Sequence, residues 1–199
     1  MYLCVMDLPA IEHHPLQPFL PEGAKLLMLG SFPPQQKRWC MEFYYPNFIN
    51  DMWRIMGIVF YNDPQHFVDT EQRIFRKEKI VDFAHERGLA FYDTACAVRR
   101  LKDNASDKFL EVVEATDINN LLRQLPACHA IVTTGQKATD TLRTLFDIPE
   151  PKVGHSVPFK WNERPMHFYR MPSSSRAYPM KLERKAEYYA TMMAEVGLL

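Results

Sequence analysis

Four short apolar runs, each ending in a polar or aromatic loop, constrain this chain more than any other feature. They are LLML at 26–29, LAFYDT at 89–94, AIVTT at 130–134 and MHFYRM at 166–171. Each has strand length and is too short for a helix that must bury a whole face. The segments between them repeat apolar residues at helical spacing. Met52, Ile55, Met56 and Val59 do so after Asn50 or Asp51, and the pattern recurs over 64–88, 117–125, 136–146 and 182–196. Strands alternating with helices predict an α/β fold, a three-layer α/β/α sandwich with a mainly parallel central sheet. In such a sheet the loops GSFPP, YDT, TTGQK and PSSSR all emerge at one edge. Ligands of open α/β sheets bind in the crevice beyond that edge.

The loop after the first strand is the richest. Phe32, Phe43, Tyr44 and Tyr45 stand beside the amides Asn47 and Asn50, and flat rings with a few directed polar groups suit a planar heterocycle. A Pro-rich loop whose rings serve only the core explains the same composition equally well. Gly88 and Gly135 are turn signals, and Thr116 or Asp117 starts the next helix. The glycine spacing of a phosphate loop is absent from TTGQKAT, the Rossmann glycine signature is missing, and no nucleophile-elbow pattern surrounds Ser106 or Ser173.

The 199 residues, 47% of them hydrophobic, favour one domain spanning 1–199, with 1–23 as an irregular, proline-punctuated lead that wraps the surface. His13 and His14 in that lead form a ligand signal without partners. Lys plus Arg and Asp plus Glu number 24 each, so any phosphate contact needs a local cluster. Candidates are Lys37 with Arg38, Arg99 and Arg100 with Lys102, and Arg176 with Lys181, Arg184 and Lys185; each also suits a solvated face. Cys4, Cys40, Cys96 and Cys128 have no ligand spacing, so no metal, no cofactor and no disulfide framework is expected. With no signal peptide and no membrane-length apolar run, the expectation is a soluble, cytoplasmic monomer.

The blocks Gly30, Ser31, Phe32, Pro33, then Tyr44 to Trp53 (YYPNFINDMW), then YDTA, TTGQKA and PSSSRA resemble the uracil-DNA glycosylase superfamily. Within it, the chain is most similar to the deoxyinosine (hypoxanthine) DNA glycosylase branch, whose members carry GSFP followed by YY-x-H-P-x-N-x-F-W. The resemblance implies a uracil-DNA glycosylase-like fold and a monofunctional enzyme of base excision repair. Such an enzyme flips a deaminated base, hypoxanthine or uracil, out of double- or single-stranded DNA and hydrolyses its N-glycosidic bond to leave an abasic site.

By that resemblance Asn50 matches the catalytic asparagine, which orients the attacking water. Asn47 competes for the role, because the branch's H-P-x-N is N-F-I-N here. Ser31, Phe32 and Pro33 line the base pocket, with Phe32 where most of the superfamily has a catalytic Asp or Asn. Tyr45 or Phe43 stacks on the base, a contact worth about 1–3 kcal/mol. Asp93 reads the base edge, accepting from N–H donors that hypoxanthine and uracil share. Ser173, Ser174 and Ser175 bind backbone phosphates, Arg176 enters the duplex or pairs a phosphate, and Lys37 and Arg38 add charge. Met171 stands where some members have a histidine that steadies the leaving base, a loss of the kind that costs ~10²–10³ in rate. Capping and turn roles are the alternative for the two asparagines, and a satisfied strand-end carboxylate for Asp93. The alternative is the same fold without this chemistry, as a silent nucleic-acid-binding module or a hydrolase of free nucleosides or nucleotides.

Overall fold

The computed structural model describes residues 9–102 and 107–199; Cys4 and the polar turn at 103–106 lie outside the described residues. The chain folds around a five-stranded sheet built from β2 (Leu26–Gly30), β5 (Leu89–Asp93), β8 (Ala130–Thr134), β9 (His155–Trp161) and β10 (Arg164–Met171). Its order is β5-β2-β8-β10-β9. The first four strands are parallel, and β9 is an antiparallel edge. Every residue of β2, β5 and β8 is buried, as continuous apolar runs in a sheet covered on both faces must be.

The helices are α1 (Met52–Tyr61), α2 (Lys77–Arg87), α3 (Ile118–Gln124), α4 (Gln136–Leu145) and α5 (Leu182–Glu195). The chain steps from β2 to β5 in one direction and from β5 past β2 to β8 in the other. Right-handed crossovers therefore put α1 and α2 on one face and α3 and α4 on the opposite face. Packing agrees, since α5 returns to lie on α1 while α4 packs on β8. The reversal of direction leaves a crevice between the carboxyl ends of β2 and β8, the switch point where α/β sheets hold ligands.

Three elements differ from the sequence expectation. The helix expected over 64–88 is broken by a hairpin of β3 (Val68–Asp69) and β4 (Ile74–Phe75), and only α2 remains helical. The Asp69 carboxylate accepts from the N–H groups of Glu71 and Gln72 and Arg73 adopts a left-handed φ of 56°, a side-chain turn that competes with helix. The connection after α4 contains β9, which tolerates Pro158 because it is an edge strand. The continuation of β5 is a second, antiparallel sheet of β1 (Ile11–His13), β6 (Ala95–Arg100) and β7 (Leu110–Ala115), in the order β1-β6-β7. Part of the lead is thus a strand, and Phe32 buries itself in that sheet's small core with Ala95, Val98 and Leu110.

Candidate active site

Loops from all four parallel strand ends line one cavity of about 950 Å³. β2 contributes Gly30 to Pro34, β5 contributes Asp93, β8 contributes Thr134 to Lys137, and β10 contributes Met171 and Ser173 to Tyr178. Tyr45, Asn47, Ile49 and Asn50 arrive from the loop before α1, and Asp107 and Lys108 from the segment before β7. Of the residues singled out from sequence, Ser31, Phe32, Pro33, Tyr45, Asn47, Asn50, Asp93 and Ser173 to Arg176 therefore share one cavity wall. Lys37 and Arg38 do not line it; they are exposed on a short 3-10 turn at residues 36–38. Phe43 is buried against Phe19, Tyr44, Trp53 and Phe91 and belongs to the core.

Both asparagines also do local backbone work. The Asn50 carboxamide oxygen accepts from Met52 N–H at 2.9 Å and so caps α1, because the N-cap residue Asp51 makes no side-chain cap. Asn47 Oδ1 accepts from Ile49 N–H at 3.2 Å. An amide oxygen has two lone pairs, so each keeps one acceptor site and its NH₂. Buried Arg54 fastens this loop. It donates to the carbonyls of Phe48 and Asn50 at 2.9 and 3.1 Å, and its guanidinium lies 4.7 Å from the Phe48 ring centroid. Tyr45 adopts a left-handed φ of 53°, uncommon for a residue with a Cβ and a form of strain that collects at functional sites. Its hydroxyl shares a hydrogen bond of 3.1 Å with Thr134 Oγ1, and burial raises its phenol above the usual range.

Asp51, read from the sequence only as a possible helix start, ties two walls together. Its carboxylate accepts from Lys185 Nζ at 3.1 Å and from Arg176 at 3.1 and 3.2 Å, with both Asp51 and Lys185 buried. Lys185 also donates to Ser175 O, and Asp51 N–H donates to Ser174 O. Arg176 is thus anchored at one end, yet about half its side chain, 52%, stays exposed at the cavity. Lys185, expected on a solvated or phosphate-binding face, is an interior cation. Arg100 is likewise buried, forking onto Glu12 and donating to Pro33 O, while Arg99 pairs with Glu111. The basic cluster expected at 99–102 is largely consumed by the second sheet.

On the other side, Asp93 Oδ2 sits 2.9 Å from His14 Nε2, two residues 79 positions apart. His14, expected to lack partners, has a side chain only 1% exposed. Gly30 pairs with Asp93 in the sheet, and a Cβ there would lie 2.4 Å from Asp93 Oδ1. Glycine at this position leaves the carboxylate its room. A second carboxylate, Asp107, escaped the sequence reading because it follows a polar turn with no strand or helix signal. It lines the cavity half-buried, and burial raises its pKa above the usual range. A hydrogen bond with Ser31 opposes the rise, the Asp93 charge adds to it, and Arg100 and Lys137 oppose it.

In the loop after β10, Ser173 Oγ accepts from Ser175 N–H and Ser175 Oγ accepts from Ala177 N–H. Each hydroxyl therefore keeps its own proton to donate. Met171 is buried at the end of β10. Among the described residues no group of three or more His, Cys, Asp or Glu is gathered to hold a metal, and no helix is long and apolar enough to cross a membrane.

No family model matches the chain, and no curated protein matches it. Among solved structures it is similar to the solution NMR structure of a "putative Uracil DNA glycosylase" from Methanosarcina acetivorans. The TM-score is 0.61 with 19% sequence identity, over 94% of this chain and 99% of that one. The chain has a uracil-DNA glycosylase-like fold. The aligned length leaves little of either chain outside the likeness.

Proposed function

We propose that the protein is a DNA glycosylase that hydrolyses the N-glycosidic bond of a flipped, deaminated base, hypoxanthine or uracil, without lyase chemistry. The observation that carries this reading is the convergence of Ser31 to Pro33, Tyr45, Asn47, Asn50, Asp93 and Ser173 to Arg176 on one cavity at the carboxyl edge of a glycosylase-like sheet. That cavity is concave and lined by aromatic rings and convergent polar groups, which suits an extruded base and its flanking phosphates.

In the reaction, the bond from the deoxyribose C1′ to the base nitrogen breaks and the base leaves with the electron pair. Water adds its oxygen to C1′ and gives up a proton. Asn50 orients that water through the oxygen lone pair that Met52 leaves unused, with Asn47 as the competing residue. Asp107, a carboxylate lining the same cavity, takes the proton. Asp93 accepts from the base edge, and Tyr45 packs against the ring. Ser173 and Ser175 donate their hydroxyl protons to phosphate oxygens, while Ser174 fixes the loop through its backbone. Arg176 adds the charge-assisted contact. Lys37 and Arg38, outside the cavity, extend the DNA track along the protein surface.

The test is single-turnover cleavage of labelled duplexes and single strands containing inosine, uracil, xanthine or mismatched thymine, developed with alkali. Cleavage of uracil or inosine that Asn50→Ala reduces by about 10² or more, with Asn47→Ala milder, supports the assignment. Cleavage of none of these substrates, with salt-sensitive DNA binding retained, overturns the enzyme reading in favour of a binding module.

A further inference from the structure

Asp93 reaches the cavity with its two oxygens in different states. Oδ2 is held by His14 Nε2 at 2.9 Å. Oδ1 accepts no hydrogen bond among the described residues, lies against Gly30, and is not among the buried atoms left without a partner. It is therefore the oxygen open to the cavity. His14 itself does not line the cavity; its ring is packed 4.6 Å from that of Tyr92 and edge-on to Phe32 at 5.3 Å.

Nδ1 lies 3.0 Å from Leu16 O and 3.2 Å from Leu16 N, contacts that suit either a donating or an accepting Nδ1. The Asp93 contact decides the other nitrogen: a carboxylate only accepts, so Nε2 carries a proton and donates to Asp93 Oδ2 at 2.9 Å. The carboxylate is thereby pinned with one oxygen turned away from the cavity and one presented to it.

We infer that His14 and Asp93 act as one unit that reads the ring N–H created when a base is deaminated, with Asp93 Oδ1 touching the base and His14 positioning it. This rests on the glycosylase reading and names its selectivity. Deamination turns cytosine N3 and adenine N1, which carry lone pairs, into the N–H donors of uracil N3 and hypoxanthine N1. A fixed carboxylate oxygen accepts from the donor and repels the lone pair. A site built to hydrogen-bond one form rejects the other far more strongly than shape alone can, because the buried polar group is left unpaired. A free carboxamide at this position could rotate to suit either form; a carboxylate has no donor to offer. Guanine carries the same N1–H, so its rejection lies with other groups of the cavity.

Substitution at the two positions has an unusual signature. In Asp93→Asn, His14 still donates to the side-chain oxygen, which turns the NH₂ toward the base. The uracil-over-cytosine preference, measured as the ratio of single-turnover rates on matched duplexes, is expected to fall by about 100-fold. In Asp93→Asn with His14→Phe the amide is free to rotate, and uracil cleavage recovers by about 10-fold relative to Asp93→Asn alone. His14→Phe alone lowers uracil cleavage, and His14→Gln, which restores a donor near the Nε2 position, recovers most of that loss. Thermal melts of each variant separate these effects from misfolding. An unchanged uracil-over-cytosine ratio in Asp93→Asn, or a His14→Phe effect identical in the two backgrounds, overturns the inference.

A binding arm keeps the unit testable apart from catalysis. Chemical-shift titration of the His14 ring with free uracil and with 3-methyluracil, which lacks the N–H, should perturb the ring with the first and not the second. If the wild type cleaves nothing yet this difference appears, the glycosylase reading fails while the reader stands. If both bases perturb His14 equally, or neither does, the reader fails.

Discussion

At the β5 side of the cavity the polar groups are few, buried and held by single contacts, whereas at the β10 side they are many, partly exposed and cross-braced. Asp93 depends on one histidine from the lead and on the absence of a side chain at Gly30. The serine loop depends on Asp51, which joins Lys185, Arg176 and Ser174 in one network. The first arrangement suits a group that must discriminate, since a misplaced buried acceptor costs its full desolvation. The second suits a track that must tolerate any sequence while keeping its position, since phosphate contacts locate without specifying.

The largest effect should come from breaking the brace. Asp51→Ala leaves Lys185 buried without its carboxylate, which costs about 3–5 kcal/mol. A chain of this size loses about 2–4 °C per kcal/mol, so the melting temperature should fall by roughly 6–20 °C. Asp51→Leu with Lys185→Met should recover most of that loss, because the uncompensated charge is gone. A melting temperature unchanged in Asp51→Ala would show that the brace carries no stability.

Gly30→Ala tests the other side. The new Cβ would meet Asp93 Oδ1 at 2.4 Å, so the carboxylate must move. Base cleavage should drop by about 10²-fold, the scale of a misplaced site group, while DNA affinity measured by anisotropy stays near wild type. Equal losses in both would mean that the two sides are not separable.

Smaller effects belong to the exposed groups. Arg176→Ala should reduce the slope of log affinity against log salt by about 1, the signature of one lost phosphate contact. Its ion pair is half exposed and should contribute no more than about 1 kcal/mol to stability. Ser173→Ala and Ser175→Ala should raise KM by about 3- to 10-fold with the salt slope intact, since a neutral hydrogen bond is worth about 1 kcal/mol.

On stability, Asp107 gives the smallest effect, with a sign that can be checked. Burial first, and then the Asp93 charge, raise its folded pKa. The folded state therefore binds this proton more tightly than the unfolded chain does. The resulting stabilisation is complete below the unfolded carboxylate pKa and is lost as pH rises through the folded value. Asp107→Asn should consequently melt slightly higher than wild type at neutral pH, by about 0.5 kcal/mol or less, the scale of a substitution outside the core. The difference should close or reverse in acid. A variant less stable at neutral pH than in acid, relative to wild type, would contradict this.

Much of the framework is legible in the sequence because it rests on local pattern. Continuous apolar runs of strand length, helical periodicity between them, Gly88 in the left-handed cap and Asp117 capping α3 through Asn120 N–H each follow from a few neighbouring residues. The convergence of the GSFPP, YDT, TTGQK and PSSSR loops at one edge follows from parallel strands alone. The second sheet was hidden because β6 and β7 pair across an irregular register, β6 buries the charge of Arg100 and β7 leaves Val113 exposed between glutamates, so neither has a clean alternation. The pairing of His14 with Asp93 and the brace of Asp51 and Lys185, residues 134 positions apart, have no local signature at all. A buried charge is tolerable only where a partner arrives from elsewhere in the chain, and which partner arrives is settled by the packing of sheet on sheet and helix on helix. The sequence by itself determined the layers and the edge at which the polar loops converge. Only the tertiary structure decided which polar atoms at that edge are occupied and which are left open.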